Sequence, residues 1–316
     1  MVTFKDVTAA KARINELINH TPVMTSRTLD NMIGGSVFVK CENFQRVGAF
    51  KFRGVTNTLL QLSSEEKARG VITHSSGNHA QALALGSKLL GIHAVIVMPK
   101  NAPAVKVQAT KGYGAEIVFC ENSVQSRETT CRELMQTRGL TLIHPYDDDR
   151  IIAGAGTAAL ELVEQVGAVD IMVCPVGGGG LGSGTAIATK GTCPQSEVFL
   201  VEPKMADDAA RSFHDGRLYP SVYPETMADG LRTALCPRTF AIIREHVDDI
   251  VTVSEEEILD AVRFLWERMK LVVEPSGAVG LAGVLAKRVP TQSKRIGVIL
   301  SGGNLDIQPL LSSLKK

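Results

Sequence analysis

Between residues 70 and 147 the chain repeats one rhythm. Short apolar runs centred near Ile72, Ile96, Val118 and Leu142 alternate with mixed polar and apolar stretches long enough for helices. That alternation is the signature of βαβ units, which build a parallel sheet covered by helices on both faces. The rhythm returns after residue 150, with strands expected at 170–174, 198–201, 250–253 and 296–300. Gly91, Gly112 and Gly139 fall where a helix must end or turn before the next strand.

Ahead of this region, Thr3 and Asp6 form a capping signature before a helix carrying Val7, Ile14, Leu17 and Ile18. Residues 37–41 read as a strand. A second helix follows Lys51, with Phe52, Val55, Leu59 and Leu62 on one face. Ser254 and Glu257 form another capping box, opening a helix lined by Ile258, Val262, Leu265 and Met269. The expected fold class is α/β in two lobes, each a mostly parallel sheet flanked by helices. A small domain spans 70–147, and a large domain is made of 1–69 and 148–316. The cleft between them is the expected ligand site.

Composition excludes several classes of partner. The formal charge is +1, so no basic face is forced, and neither nucleic acid nor an anionic membrane is an expected partner. Cysteines at 41, 120, 131, 174, 193 and 236 form no C-x-x-C pair and have no histidine cluster beside them. Scattered thiols of this kind fit a reducing compartment, and a cytoplasmic location is expected. Residues 1–11 do not read as a signal peptide, and no apolar run has the length of a membrane span.

Four polar or glycine-rich loops follow expected strands or open expected helices, and these carry the chemistry. In Gly48-Ala49-Phe50-Lys51-Phe52-Arg53-Gly54 a lysine stands at a helix start. Burial and nearby positive charge, from Arg53 and the helix N-terminus, would lower its pKa and make it a Schiff-base nucleophile. The bland alternative is an exposed helix-start lysine. In Val176-Gly177-Gly178-Gly179-Gly180-Leu181-Gly182 successive backbone N–H groups can turn toward one small anion. The spacing is neither a nucleotide P-loop nor a complete Rossmann fingerprint, because Ser183 stands where the third glycine would be.

Ser75-Ser76-Gly77-Asn78-His79 suits carboxylate binding at a helix N-terminus, with a serine hydroxyl as a candidate acid/base group and simple N-capping as the alternative. Ser301-Gly302-Gly303-Asn304 follows the last strand, at the carboxyl end where open parallel sheets bind ligands. A further segment, Glu202 to Asp208, offers two carboxylates with a carbonyl between them. It reads either as oxygen ligands for a hard cation or as a solvated acidic turn.

Taken together, these segments resemble the fold-type II pyridoxal-phosphate enzymes, within them the serine racemase, threonine dehydratase and threo-3-hydroxyaspartate dehydratase group. The resemblance runs from Thr21-Pro22-Val23 to Ser301-Gly302-Gly303-Asn304. It implies pyridoxal 5'-phosphate bound to Lys51, with Phe50 beside the ring, Asn78 on its phenolic oxygen, Gly177, Gly178, Gly179, Gly180 and Leu181 around its phosphate, and Ser301 at the pyridine nitrogen. Ser75, Ser76, Gly77 and His79 would meet the substrate, with Ser76 as the second acid/base group that racemisation requires.

The resemblance also implies Mg²⁺, or Mn²⁺ or Ca²⁺, on Glu202, the Ala206 carbonyl and Asp208. Arg127 is similar to a racemase position that could take a second substrate carboxylate; otherwise it is a solvent-facing helix residue. Tyr146, in His144-Pro145-Tyr146-Asp147, resembles the dehydratase-like and fungal racemase-like members, and the resemblance implies that it meets the substrate. The implied reaction is loss of water from serine or threo-3-hydroxyaspartate, giving a 2-oxo acid and ammonia, with serine racemisation, in a homodimer. The alternatives are a threonine/serine dehydratase without racemisation, a β-replacement synthase, or a metabolite sensor that keeps the cofactor without turnover.

Overall fold

The computed structural model describes residues 1–306 apart from Pro103 and Tyr223. Ten strands form two sheets: β1 Val23–Met24, β2 Ser36–Cys41, β3 Val71–His74, β4 Ala94–Pro99, β5 Glu116–Cys120, β6 Thr141–Leu142, β7 Ile171–Pro175, β8 Glu197–Pro203, β9 Asp249–Val253 and β10 Arg295–Leu300. The larger sheet runs β1-β2-β10-β7-β8-β9 and the smaller β5-β4-β3-β6. Every pairing is parallel except β1 with β2. The two-residue strand β1 escapes sequence reading, because two residues carry no period. Its pairing depends on β2 lying alongside, Val23 facing Lys40 and Met24 facing Val39.

The inner strands are buried along their whole length, as in β4 and β7, because helices cover both faces. Three helices behind the larger sheet approach closely through glycine. A Cβ on Gly154 would lie 2.6 Å from the Gly54 Cα, and one on Gly156 would lie 2.5 Å from the Gly184 carbonyl oxygen. These contacts bring together the helices Lys51–Leu60, Asp149–Val166 and Gly180–Thr192. Two of those helices open at loops singled out by the sequence.

Helix ends follow local chemistry. Gly91 and Gly139 adopt φ of 67° after their helices, whereas Gly112 is the last helical residue and Gly114 makes the left-handed turn at φ 90°. Leu265 and Met269 do not continue the regular stripe begun at Ile258. The α-helix Glu255–Phe264 gives way to a π-turn over Leu265–Met269, which ends on Lys270 at φ 61°. The wider turn shifts the side-chain phase. Leu265 stays buried while Met269 is only partly so.

All six cysteines are unpaired. No helix among the described residues is long and apolar enough to cross a membrane.

Candidate active site

Lys51 is the first residue of the helix Lys51–Leu60, and the chain just before it is pinned to the end of β10. The Phe50 N–H donates to the Ser301 carbonyl at 3.0 Å, Ala49 bridges to Gly302, and the Gly303 N–H donates to the Gly48 carbonyl at 2.9 Å. The turn leading in holds Val47 at φ 55°, a strained conformation for a β-branched residue, and its carbonyl accepts from Asn304 Nδ2 at 2.5 Å. The Lys51 amine donates to the Pro145 carbonyl at 2.8 Å and lies 5.1 Å from the centroid of the Phe50 ring. Burial lowers its pKa to about 8, since a desolvated ammonium is costly.

Arg53 has no part in that shift, contrary to the sequence expectation. Its side chain turns into the core, where Nε meets Glu42 at 2.7 Å, NH2 meets Glu42 at 2.8 Å, and NH1 meets Thr157 at 3.3 Å. Glu161 pairs with the same guanidinium and with Lys40, the latter at 2.7 Å. Arg53, Lys40 and Glu42 are 0% exposed and Glu161 is 4% exposed, so two cations and two carboxylates balance one another in the interior. Arg53 therefore braces the lysine helix and does not set the lysine's charge.

The four-glycine loop joins β7 to the helix Gly180–Thr192, with Gly179 as N-cap at φ 85°. Its glycines are required by packing. A Cβ on Gly177 would lie 3.0 Å from the Leu231 Cα, on Gly178 2.4 Å from the Tyr146 ring, on Gly179 2.7 Å from Leu235, and on Gly180 2.9 Å from the Tyr146 Cβ. The Gly178 carbonyl is held by the Thr239 hydroxyl at 3.0 Å, and Leu181 is buried just inside the helix. The free N–H groups of a helix start remain available to an anion. Residues 145 and 146 tie this loop to the lysine: the carbonyl of one takes the Lys51 amine, and the other lies with its ring against Gly178 and its Cβ against Gly180.

Ser75, Ser76 and Gly77 connect β3 to the helix Asn78–Leu89 and are all half-buried. A Cβ on Gly77 would meet nothing within 4 Å, so the loop faces open space. Asn78 is fixed on both sides, donating to Glu274 Oε1 at 2.6 Å and accepting from Asn304 Nδ2 at 3.0 Å. Glu274 escaped the sequence reading, because a buried glutamate N-capping the helix Pro275–Leu285 has no distinctive local pattern. Burial, with help from Asp229, pushes its carboxyl up to about 8. His79 is turned away from the open side of the loop. It is 3% exposed, and its Nε2–H donates to the Ile143 carbonyl at 2.9 Å. Burial lowers its pKa to about 3, so it supports the loop as a neutral ring.

Arg127 lies on the helix Val124–Arg138, half-buried, with no hydrogen-bond or ion-pair partner among the described residues for its guanidinium. Burial lowers the pKa of nearby His74; the Glu128 carboxylate opposes that, and the Arg127 charge adds to it more weakly.

The segment from Glu202 to Asp208 is not a solvated turn. Glu202 is 0% and Asp208 1% exposed. Glu202 accepts from the N–H groups of Ala209 at 3.0 Å and Ala210 at 2.8 Å, and burial together with Asp208 raises its pKa well above the ordinary range. Both Asp208 oxygens are buried with no cation beside them among the described residues and only the Ser221 hydroxyl close by, too poorly placed for a regular hydrogen bond; burial pushes Asp208 up to about 6 although Ser221 opposes the rise. Ala206 is buried between the two acids. Orphaned carboxylate oxygens in the interior call for a counter-ion, and a hard cation bound by oxygen fits this donor set.

A family model described as pyridoxal-phosphate dependent enzyme matches residues 14–302. The L-threo-3-hydroxyaspartate ammonia-lyase of Saccharomyces cerevisiae is 50% identical over 307 residues, covering 97% of this chain and 94% of that protein. The serine racemase of Schizosaccharomyces pombe is 48% identical over 307 residues, covering 97% and 95%. The crystal structure of serine racemase from Dictyostelium discoideum superimposes with a TM-score of 0.93 at 44% identity, covering 96% of this chain and 99% of that one.

Proposed function

This chain belongs to the family of pyridoxal-phosphate dependent enzymes, and on that premise we propose that it removes water from serine or threo-3-hydroxyaspartate and also racemises serine. The observation that carries the reading is the junction at Pro145 and Tyr146, which places a desolvated lysine amine beside a packed glycine cradle. When bound, the cofactor acidifies the substrate Cα–H by drawing its electrons into the ring.

The rest falls to this chain's residues. Lys51 would hold the cofactor and then carry the Cα proton on one face. Gly177, Gly178, Gly179, Gly180 and Leu181 would hold its phosphate, Asn78 its phenolic oxygen and Ser301 its ring nitrogen, with Phe50 alongside. Ser75, Ser76 and Gly77 would receive the substrate carboxylate at the helix start, and Tyr146 would close the site over the glycines. Arg127, with no other partner among the described residues, would take a second carboxylate. Release of ammonia from L-serine, D-serine, L-threonine and both threo-3-hydroxyaspartates, with chiral analysis of the remainder, tests the reading. Absence of ammonia from all of them would refute it.

Ser76 would carry the proton on the face opposite Lys51. Ser76→Ala should therefore lower racemisation of L-serine by at least ~10²-fold, while elimination from L-serine falls much less. Equal loss of the two rates would remove Ser76 from that role.

Mg²⁺, or a similar cation, would sit on Glu202, the Ala206 carbonyl and Asp208. An ion bound only by the native state, at about 100 times its Kd, adds roughly 2–3 kcal/mol of stability. Chelation should lower Tm accordingly, and Asp208→Asn should abolish the response to added Mg²⁺. A Tm indifferent to both would discard the ion.

A cytoplasmic homodimer is part of the same proposal. Phe44 and Val272 are 48% and 60% exposed, and their loops are joined by a bond from Asn43 Nδ2 to the Val272 carbonyl, leaving apolar surface that a second copy could cover.

A further inference from the structure

Building on the function proposed above, we propose that His144 is a specificity-determining residue whose Nε2–H hydrogen-bonds the distal carboxylate of a four-carbon substrate. The ring's tautomer is set by its own turn. His144 Nδ1 accepts from the Asp147 N–H at 2.8 Å and from the Tyr146 N–H at 3.3 Å. A ring nitrogen that accepts carries no proton, so the proton resides on Nε2. Burial lowers the ring's pKa to about 4, which leaves it a neutral hydrogen-bond donor at pH 7 and a poor source of protons.

Nε2 lies across the ring from Nδ1 and so points away from the turn. It has no partner among the described residues, and it is not a buried orphan of the kind seen at His79 Nδ1. The ring packs edge-on against Tyr146, at 4.7 Å between centroids, and against His74, at 6.2 Å. His74 ends β3 and leads directly into Ser75, while Pro145 next door holds the Lys51 amine. The free donor thus belongs to a ring packed against the residue that leads into the open loop and adjacent in the chain to the carbonyl that holds the amine. Arg127, whose guanidinium has no partner among the described residues, is close enough to His74 for its charge to be felt there, though less than that of Glu128.

The nearby acids do not oppose an incoming carboxylate strongly. Asp147 is paired with Arg238 and Asp148 with Arg150, each at 2.7 Å; Glu128, the acid felt at His74, is exposed, so solvent screens it. A neutral N–H and an unpaired guanidinium suit a carboxylate; the hydroxymethyl group of serine is too short to use both.

Two substitutions of the holoenzyme separate this role from that of a loop brace. In His144→Asn a short amide stands where Nδ1 was, so the turn keeps an acceptor and the far donor is lost. In His144→Gln the amide reaches the position of Nε2, so the donor returns and the acceptor is lost. The quantity read is kcat/KM for L-threo-3-hydroxyaspartate divided by that for L-serine. His144→Asn should lower this ratio by about tenfold or more, as expected for one hydrogen bond to a charged group, mainly through KM; His144→Gln should retain most of it. Binding gives a second readout. Succinate should raise the Tm of the unmutated holoenzyme more than butyrate does, and that difference should vanish in His144→Asn. A ratio lowered by Gln and kept by Asn, or unmoved by both, overturns the inference while leaving the dehydratase reading intact. No ammonia from either substrate with the unmutated enzyme defeats both.

Discussion

Lys51→Ala is expected to abolish the visible absorbance of the cofactor–lysine bond and to lower turnover by at least ~10³-fold. The expectation follows from the amine's surroundings. Burial brings its pKa to about 8, so about a tenth of the amines are free base at pH 7, against well under a thousandth at the ordinary 10.5. No charged partner contributes, because the neighbouring cation, Arg53, is turned into the core. Lys51→Arg keeps a cation on a long stem but cannot deprotonate, and it should be equally inactive. The pH dependence has a definite sign. Lowering a lysine pKa favours the neutral form, so the rate of cofactor uptake by the apoenzyme should rise with pH until about 8 and then level off. A variant that binds cofactor and retains turnover without this amine would end the assignment.

Arg53→Met should destabilise the protein by about 3–5 kcal/mol, because it strands carboxylate charge in the interior. Glu42 loses its bidentate partner, and Glu161 keeps only Lys40, at 2.7 Å, with His20 at the rim. Burial alone would raise the Glu161 carboxyl, yet Arg53 and Lys40 hold it below the usual 4.5. A depressed carboxylate stabilises the fold above its unfolded pKa, and that contribution is lost as pH falls through the lower folded value. The wild type should therefore soften in acid over that interval, and the single variant less so.

Removing Glu42 as well, in Arg53→Met with Glu42→Met, restores neutrality around the Lys40–Glu161 pair. The double variant should recover part of the loss in urea unfolding. A single variant within about 1 kcal/mol of wild type would show that the cluster does not bear on stability.

Much of the architecture was legible because it repeats. The apolar runs near Ile72, Ile96 and Val118 became β3, β4 and β5, and those after residue 150 became β7 to β10, each within a residue or two of expectation at most ends. Period and punctuation are properties of neighbouring residues, so they survive without a three-dimensional context. Where the pattern is too short or the geometry non-standard, it failed. β1 is two residues long, and the π-turn at Leu265–Met269 conceals a change of phase. The candidate site was legible as types of residue. A lysine at a helix start, glycines after a strand and serines before a helix each suggest a chemistry from local backbone needs alone.

Side-chain direction was not legible. Arg53 and Lys51 are two residues apart at one helix start, yet one enters an ion cluster and the other meets a carbonyl 94 residues away. His79 follows Asn78, yet its ring is buried against Ile143. Glu202 and Asp208 fitted either cation ligands or a solvated turn by sequence, and only their burial decided against the turn. Local sequence thus determined which backbone segments form strands, helices and anion-receiving turns, since hydrophobic period and φ preference act over a few residues. Tertiary structure alone decided which polar groups face one another and which are dry, because desolvation and hydrogen bonding depend on atoms brought in from distant parts of the chain.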